Sequence, residues 1–418
     1  MNLVGQILKQ TTLRFKMSSS YAVGDKPIQG LRSFGPYDAD LFAKDEIHCA
    51  IIFSKQIEQY AELLKNAFTK GEGIFDNFEQ WFRVGIKFSE EYQVKQETVS
   101  EIRRTAEEIS TKDIDIVFIL TSQRNPDIYR EGKAILLGNG IPSQFVIAKK
   151  LINPNQRQWI WSNMALATYA KVGGTPWVIT TNEKRNEVVM GVSRTRDVTG
   201  KYIVGFVTVF NQDGDFLLLH SKAPVVEWEQ YVEGLRDLII EAYHEYESLQ
   251  GKPEDIILHF RKRPGWKELN SINNALQEIG FSTPYALIHL NEYSNYRLFD
   301  TGHNTYVPQA GLKVDLSSHQ VLLLLDGRIG DRRSRRGVPN VLEIAMDRRS
   351  TLPIEEFPRL VKQINDFARV NWRGFNPKSS PVTLNYSYLI SRLVTEIGTD
   401  SWNQVIASGK LRDKAWFL

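Results

Sequence analysis

Residues 187–221 read EVVMGVSRTRDVTGKYIVGFVTVFNQDGDFLLLHS. Three apolar runs, EVVMGVS, KYIVGFVTVF and FLLLHS, have the β-branched and aromatic composition of consecutive strands. Asp213-Gly214 between the last two is a hairpin signal, because glycine tolerates the positive φ of a tight turn. Downstream, 227–247 reads as a helix, DIILHF as a strand, KELNSINNALQEIG as a helix and PYALIHL as a strand. Two further strands and a mostly helical C-terminal region complete the pattern. Upstream, strands IHCAIIFS, FRVGIKF, DIDIVFILTS and SQFVIAKKLI alternate with helices over 55–68, over 97–109 and from Asn125-Pro126. Such alternation predicts βαβ units and a mainly parallel sheet. A long helix over 155–171 stops at Gly173-Gly174.

The two halves therefore differ. Three antiparallel strands, a helix and a strand are the opening order of an RNase H-like fold. The preceding alternation is an α/β unit of ordinary domain size. We divide the chain into 1–37, an arm of short strands; 38–170, a Rossmann-like α/β domain; and 171–418, an RNase H-like domain.

Composition sets limits. The hydrophobic fraction of 42% and charged fraction of 24% are those of a globular chain. No run approaches the roughly 18 apolar residues of a membrane span, and the first residues lack the apolar core and cleavage site of a signal peptide. A cytosolic address and no membrane association are the expectations. Cys49 is the only cysteine, which excludes an internal disulfide and a cysteine-rich zinc site. Net charge is only +3, yet RIGDRRSRR (328–336) holds five arginines to one aspartate, and RKRPGWK (261–267) holds four cations and no acid. Such clusters contact phosphates or are merely solvated. Arg332, Arg333, Arg335 and Arg336 are candidate backbone contacts.

Three segments carry a resemblance: YAKVGGTPWVI (169–179), VNWRGFNPKSSPVTLNYSYLISRLV (370–394) and the terminal AWFL (415–418). They resemble the PIWI domain of Argonaute proteins. The α/β region, with GLRSFGPYD (30–38) and IPSQF (141–145), is similar to the MID domain of short archaeal and bacterial Argonautes. The resemblance implies binding of a guide strand and its complementary target, and it leaves no segment for the upstream N and PAZ domains of long members.

In that family a tyrosine and a lysine one helical turn apart, a glutamine and a second lysine hold the guide's 5′ phosphate. Tyr129, Lys133, Gln144 and Lys171 stand here in that order. The physics agrees with the assignment. Tyr129 and Lys133 share one helix face. A helix start offers free N–H groups and a favourable dipole to an anion. The lysines add charge-assisted donors, and the tyrosine ring is a stacking face for any first base. Each residue alone has an ordinary structural reading. The resemblance further implies that the C-terminal carboxylate, here of Leu418, holds Mg²⁺ with Gln144 against the guide phosphates, as suits a hard cation. Trp416 and Phe417 would anchor that tail.

Cleavage by an RNase H-type site needs acids that hold two metal ions. Ser193 stands where the family's first aspartate ends a strand, and Arg261, Lys262 and Arg263 follow the strand that precedes the second. Asn385 occupies the stretch of the last acid, and Asp197 lies past Ser193 in an expected turn. The sequence thus predicts a guide binder that does not cut. The alternatives are an active RNase H-type nuclease and a small-ligand-binding α/β module. The resemblance also implies a separate protein partner that supplies the missing N-terminal lobe with an effector, and self-association is a second expectation.

Overall fold

The computed structural model describes residues 4–181, 185–261, 263–280, 283–329 and 337–418. Its first strands are short: β1 (Gly5–Ile7), β2 (Leu13–Arg14) and β3 (Val23–Gly24). The arm is not made of strands throughout, because helix α1 (Pro27–Phe34) follows. Pro27 opens it, where a missing N–H costs nothing, and Ile28, Leu31 and Phe34 face the core at three-residue spacing.

The α/β unit is built as the alternation predicts. Strands β4 (Glu46–Ser54), β5 (Gly85–Val94), β6 (Ile116–Thr121) and β7 (Ser143–Ile147) are all parallel, in the order β5-β4-β6-β7. Between them run α2 (Glu58–Lys70), α3 (Phe78–Phe82), α4 (Val99–Ile109) and α5 (Pro126–Gly138). Helix α6 (Pro154–Lys171) leads out of the unit. Every residue of β6 is buried, as expected of a parallel strand covered on both faces.

Strand β8 (Val178–Ile179) pairs with β2. Then β9 (Glu187–Arg196), β10 (Ile203–Asn211) and β11 (Phe216–Ser221) form the expected antiparallel set. Helix α7 (Trp228–Gln250) crosses to β12 (Asp255–Phe260), which runs parallel to β9. Helix α8 (Trp266–Ile279) leads to β13 (Tyr285–Asn291), parallel to β12. Among the described residues three strands follow rather than two: β14 (Leu312–Ser317), β15 (Gln320–Leu324) and β16 (Leu342–Met346). Among the described residues the sheet has nine strands, in the order β1-β14-β15-β16-β13-β12-β9-β10-β11. Helices α9 (Phe357–Phe367), α10 (Val382–Ile397) and α11 (Thr399–Ser408) complete the chain.

One apolar cluster runs from the four-stranded sheet through α6 into the nine-stranded sheet and α10, so the lobes share a core. Helices α7 and α8 cover the other sheet face. Helix α10 lies close on β9: a Cβ at Gly191 would fall 2.5 Å from Thr208 Oγ1 and 2.7 Å from the Thr383 carbonyl.

Candidate nucleic-acid interface

Helix α5 begins at Asn125, whose side chain accepts from the N–H groups of Asp127 and Ile128, with Pro126 at the first position. These first-turn donors, expected to meet an anion directly, are therefore already used. The helix dipole remains, but the side chains must supply the hydrogen bonds. Four residues apart on α5, Tyr129 and Lys133 do face one cavity, and the Lys133 Nζ lies 6.0 Å from the Tyr129 ring centre. Tyr129 also packs on Phe145 of β7, with ring centres 4.8 Å apart.

Gln144 comes from β7 and Lys171 from the last turn of α6, and all four residues line a cavity of about 590 Å³. The structure thus brings together every member of the sequence-predicted set. Lys133 is 4% exposed and Lys171 2%. Both donate to the Ser143 carbonyl, at 2.7 and 3.1 Å, and Lys171 also donates to Gln144 Oε1 at 2.6 Å. The Ser143 hydroxyl is buried, without a hydrogen-bond partner among the described residues. Burial pushes Lys133 down to about 7. Burial, then Lys133 and Arg373, hold Lys171 well below its ordinary value. Burial, then the Glu396 carboxylate, pushes the Tyr129 hydroxyl up to about 12.

The far wall belongs to the other lobe. Arg373, Arg392, Glu396 and Leu418 line the same cavity, and Arg392 pairs with Glu396 at 2.9 Å. Arg373, Arg392, Ser143, Arg124 and Lys150 were not singled out from the sequence. Arg373 lies inside VNWRGFNPKSS, so its segment was visible, but the cavity it faces was not. Phe417 is buried against Tyr386 and Phe216, with ring centres 5.1 and 5.6 Å away, and Trp416 packs on Trp402 at 6.0 Å. These contacts place Leu418 at the cavity wall.

A divalent cation fits this cavity only as a shared ligand. Among the described residues no group of three or more His, Cys, Asp and Glu is placed to hold a metal. Gln144 Oε1 keeps a second lone pair beyond its bond from Lys171, and a terminal carboxylate at Leu418 would add charge. Phosphate oxygens would have to complete the shell.

A second cavity, of about 680 Å³, opens at Ser193 on β9. Its wall includes Arg194, Arg261, Arg263 and Arg392. Glu268 is its carboxylate, and it is engaged by Arg194 at 3.0 Å, by Tyr231 at 3.1 Å and by the Gly265 N–H at 2.9 Å. Asn385 does not line it; Ser387, Tyr388 and Ser391 of α10 do. Asp197 accepts from Thr199 Oγ1 at 2.7 Å and from the Tyr202 N–H at 3.0 Å, which closes the β9–β10 turn. Arg332, Arg333, Arg335 and Arg336 lie outside the described residues.

Comparison with known proteins agrees with this architecture. The Piwi domain family model matches residues 115–323, half of the chain. A "Piwi protein" of Archaeoglobus fulgidus is 26% identical over 413 residues, covering 94% of this chain and 93% of its own. A "Protein argonaute" of Cereibacter sphaeroides is 25% identical over 439 residues, covering 93% of this chain but 56% of its own length. The crystal structure of Drosophila Piwi shares the fold with a TM-score of 0.75 at 15% identity, over 99% of this chain and 56% of that one. No described helix is long and apolar enough to cross a membrane. An α/β unit with a parallel sheet, followed by an RNase H-like lobe, is thus carried by a chain that belongs to the Piwi domain family, in common with archaeal and bacterial Argonautes.

Proposed function

We propose that this protein anchors the 5′-phosphorylated end of a guide strand between Lys133 and Lys171 and uses that strand to recognise complementary nucleic acid without cutting it. Family membership supports nucleic-acid-guided binding in general. One observation carries the finer reading. Two buried ammonium groups converge on a single carbonyl, and among the described residues neither has an ion-pair partner. Buried charge without a counter-charge is costly, and a phosphate dianion would supply that charge. Tyr129 would stack on the first base, Gln144 would contact the phosphate, and Arg373 and Arg392 would add charge from the opposite wall. Bound Mg²⁺ would screen the adjacent phosphates, held by Gln144 and the Leu418 carboxylate.

Ser193 supports the non-cleaving half. A neutral hydroxyl stands at the strand position that resembles a metal-binding aspartate, cations follow β12, and Glu268 is already committed to Arg194. Binding without cutting needs an output. We propose that a separate protein, resembling the N-terminal lobe that long relatives carry, joins this chain with an effector, alongside self-association. The test is binding of matched 5′-phosphate and 5′-hydroxyl guides, followed by target binding and cleavage assays with Mg²⁺. Equal affinity for both ends, or target cleavage, would refute the corresponding half.

A further inference from the structure

Seven lysine and arginine side chains line the 5′-end cavity, and among its described lining residues Glu396 is the one acidic side chain. It sits on α10 one turn past Arg392, and the two pair at 2.9 Å. Their side chains are 45% (Arg392) and 25% (Glu396) exposed, so the pair is within reach of an entering ligand. Glu396 also acts across the cavity. Burial lowers Lys133, and the Glu396 carboxylate opposes that lowering while Arg373 adds to it. Burial and then Arg392 lower Arg373, with Tyr129, Tyr388 and Glu396 opposing. After burial, Glu396 is the main cause that pushes the Tyr129 hydroxyl up. One carboxylate thus acts on Arg392, Lys133, Arg373 and Tyr129, four of the groups that would receive the guide's end.

A carboxylate in a pocket for phosphate works against the ligand. It repels the incoming charge, and it occupies a guanidinium that could hold a phosphate oxygen. We propose that Glu396 is a resident counter-charge that competes with the guide's 5′ phosphate for Arg392. In the empty protein it pairs with Arg392 and offsets the crowded cations. On binding, the phosphate takes its place and the Arg392–Glu396 pair opens. Carboxylate and phosphate both fit the paired donors of a guanidinium, and a phosphate dianion carries the greater charge. Anchoring is then an exchange of one anion for another, and Glu396 limits how tightly the phosphate is held. The ligand's identity rests on the guide-anchoring reading, whereas the competing contact is a property of α10.

The test uses the full chain, with Mg²⁺, and two probes: a strand of a few nucleotides with a 5′ phosphate and the same strand with a 5′ hydroxyl. E396Q keeps the shape of the side chain and removes its charge. It should bind the phosphorylated strand about two- to fivefold more tightly than wild type, the range of a partly exposed ion pair. The hydroxyl strand should gain less. In the R392Q background the same substitution should lose most of its gain, because the competing contact is already gone. Unchanged affinity for the phosphorylated strand in E396Q overturns the proposal. So does a gain of equal size in the R392Q background, which would be long-range charge alone. Weaker binding by E396Q with loss of Mg²⁺ dependence would make Glu396 a metal ligand and also overturns it. Wild-type protein that binds both strands equally refutes guide anchoring and this proposal together. Wild-type preference for the phosphorylated strand with an inert E396Q refutes only the second.

Discussion

The ammonium groups of Lys133 and Lys171 share one acceptor, the Ser143 carbonyl, at 2.7 and 3.1 Å. They come from helices on either side of β7, and the carbonyl holds them within reach of a common anion. Replacing both with alanine should weaken 5′-phosphorylated guides by about 1.5–3 kcal/mol for each charge-assisted hydrogen bond removed. Hydroxyl-ended guides should be weakened far less. Titration of both guide types against K133A/K171A checks the expectation, and an equal weakening would place the pocket elsewhere.

The same pair predicts a proton linkage. Burial lowers Lys133 from 10.5 to about 7, so between those values the folded, unliganded protein binds fewer protons than the unfolded chain. Its destabilising contribution is therefore complete below about pH 7 and is relieved as pH rises toward 10.5. A phosphate dianion favours the charged lysine and opposes the shift. Guide binding at pH 8 should then take up about one proton at Lys133, and affinity should fall as pH rises further. Tyr129, Lys171, Arg373 and the Arg392–Glu396 pair face the same space, and burial lowers Lys171 as well. Binding calorimetry in buffers of different ionisation enthalpy measures the uptake, and buffer-independent heats would contradict it.

Extending the chain past Leu418 separates the tail's packing from its chemistry. Trp416 and Phe417 remain buried in such a variant, so the fold should persist. Guide affinity should lose its dependence on Mg²⁺. Native, Mg²⁺-sensitive binding by the extended protein would remove Leu418 from the proposed ligand set.

Ser193→Asp adds a carboxylate at this position of β9 but does not by itself make a metal-binding set, because Arg261 and Arg263 line the same cavity and Glu268 stays paired with Arg194. We expect no divalent-dependent target cleavage from either S193D or the wild-type protein. Cleavage by wild type that is abolished on replacing Asp197 would favour the nuclease reading.

Gly191→Ala tests the seat of α10 on β9. The added methyl would press on Thr208 Oγ1 and on the backbone carbonyl of Thr383, which cannot rotate away. Overpacking of this kind costs about 1–3 kcal/mol. A lowered melting temperature is expected, and an unchanged one would show that the helix shifts freely.

What the sequence disclosed was mostly local. Asn125-Pro126 marks the start of α5 because capping and proline preference act within one turn, and the i,i+4 spacing of Tyr129 and Lys133 fixes their common face. The antiparallel set β9-β10-β11 follows from apolar runs and one hairpin signal. Signals of the same kind were present in Ile28, Leu31 and Phe34, and in the alternation Leu342, Ile344, Met346, yet α1 and one of the last three strands went unread. Arg373 and Arg392 escaped for a different reason. They meet Lys133 only because α10 crosses from the other lobe, and no local pattern encodes that closure. The capping of the α5 N–H groups by Asn125 was also local, but it competes with anion binding, and spacing alone does not show which use prevails.

The pairing of β1 with β14 carries a consequence for synthesis. Gly5 finds its partner at Val314, about 300 residues further along. At ribosomal speeds of about 5–20 residues per second, the first strand waits roughly 15–60 seconds for its partner to be made. The α/β unit can fold during that interval. The nine-stranded sheet gains β1 only after β14 has emerged, so Gly5–Ile7 are fastened long after they are made.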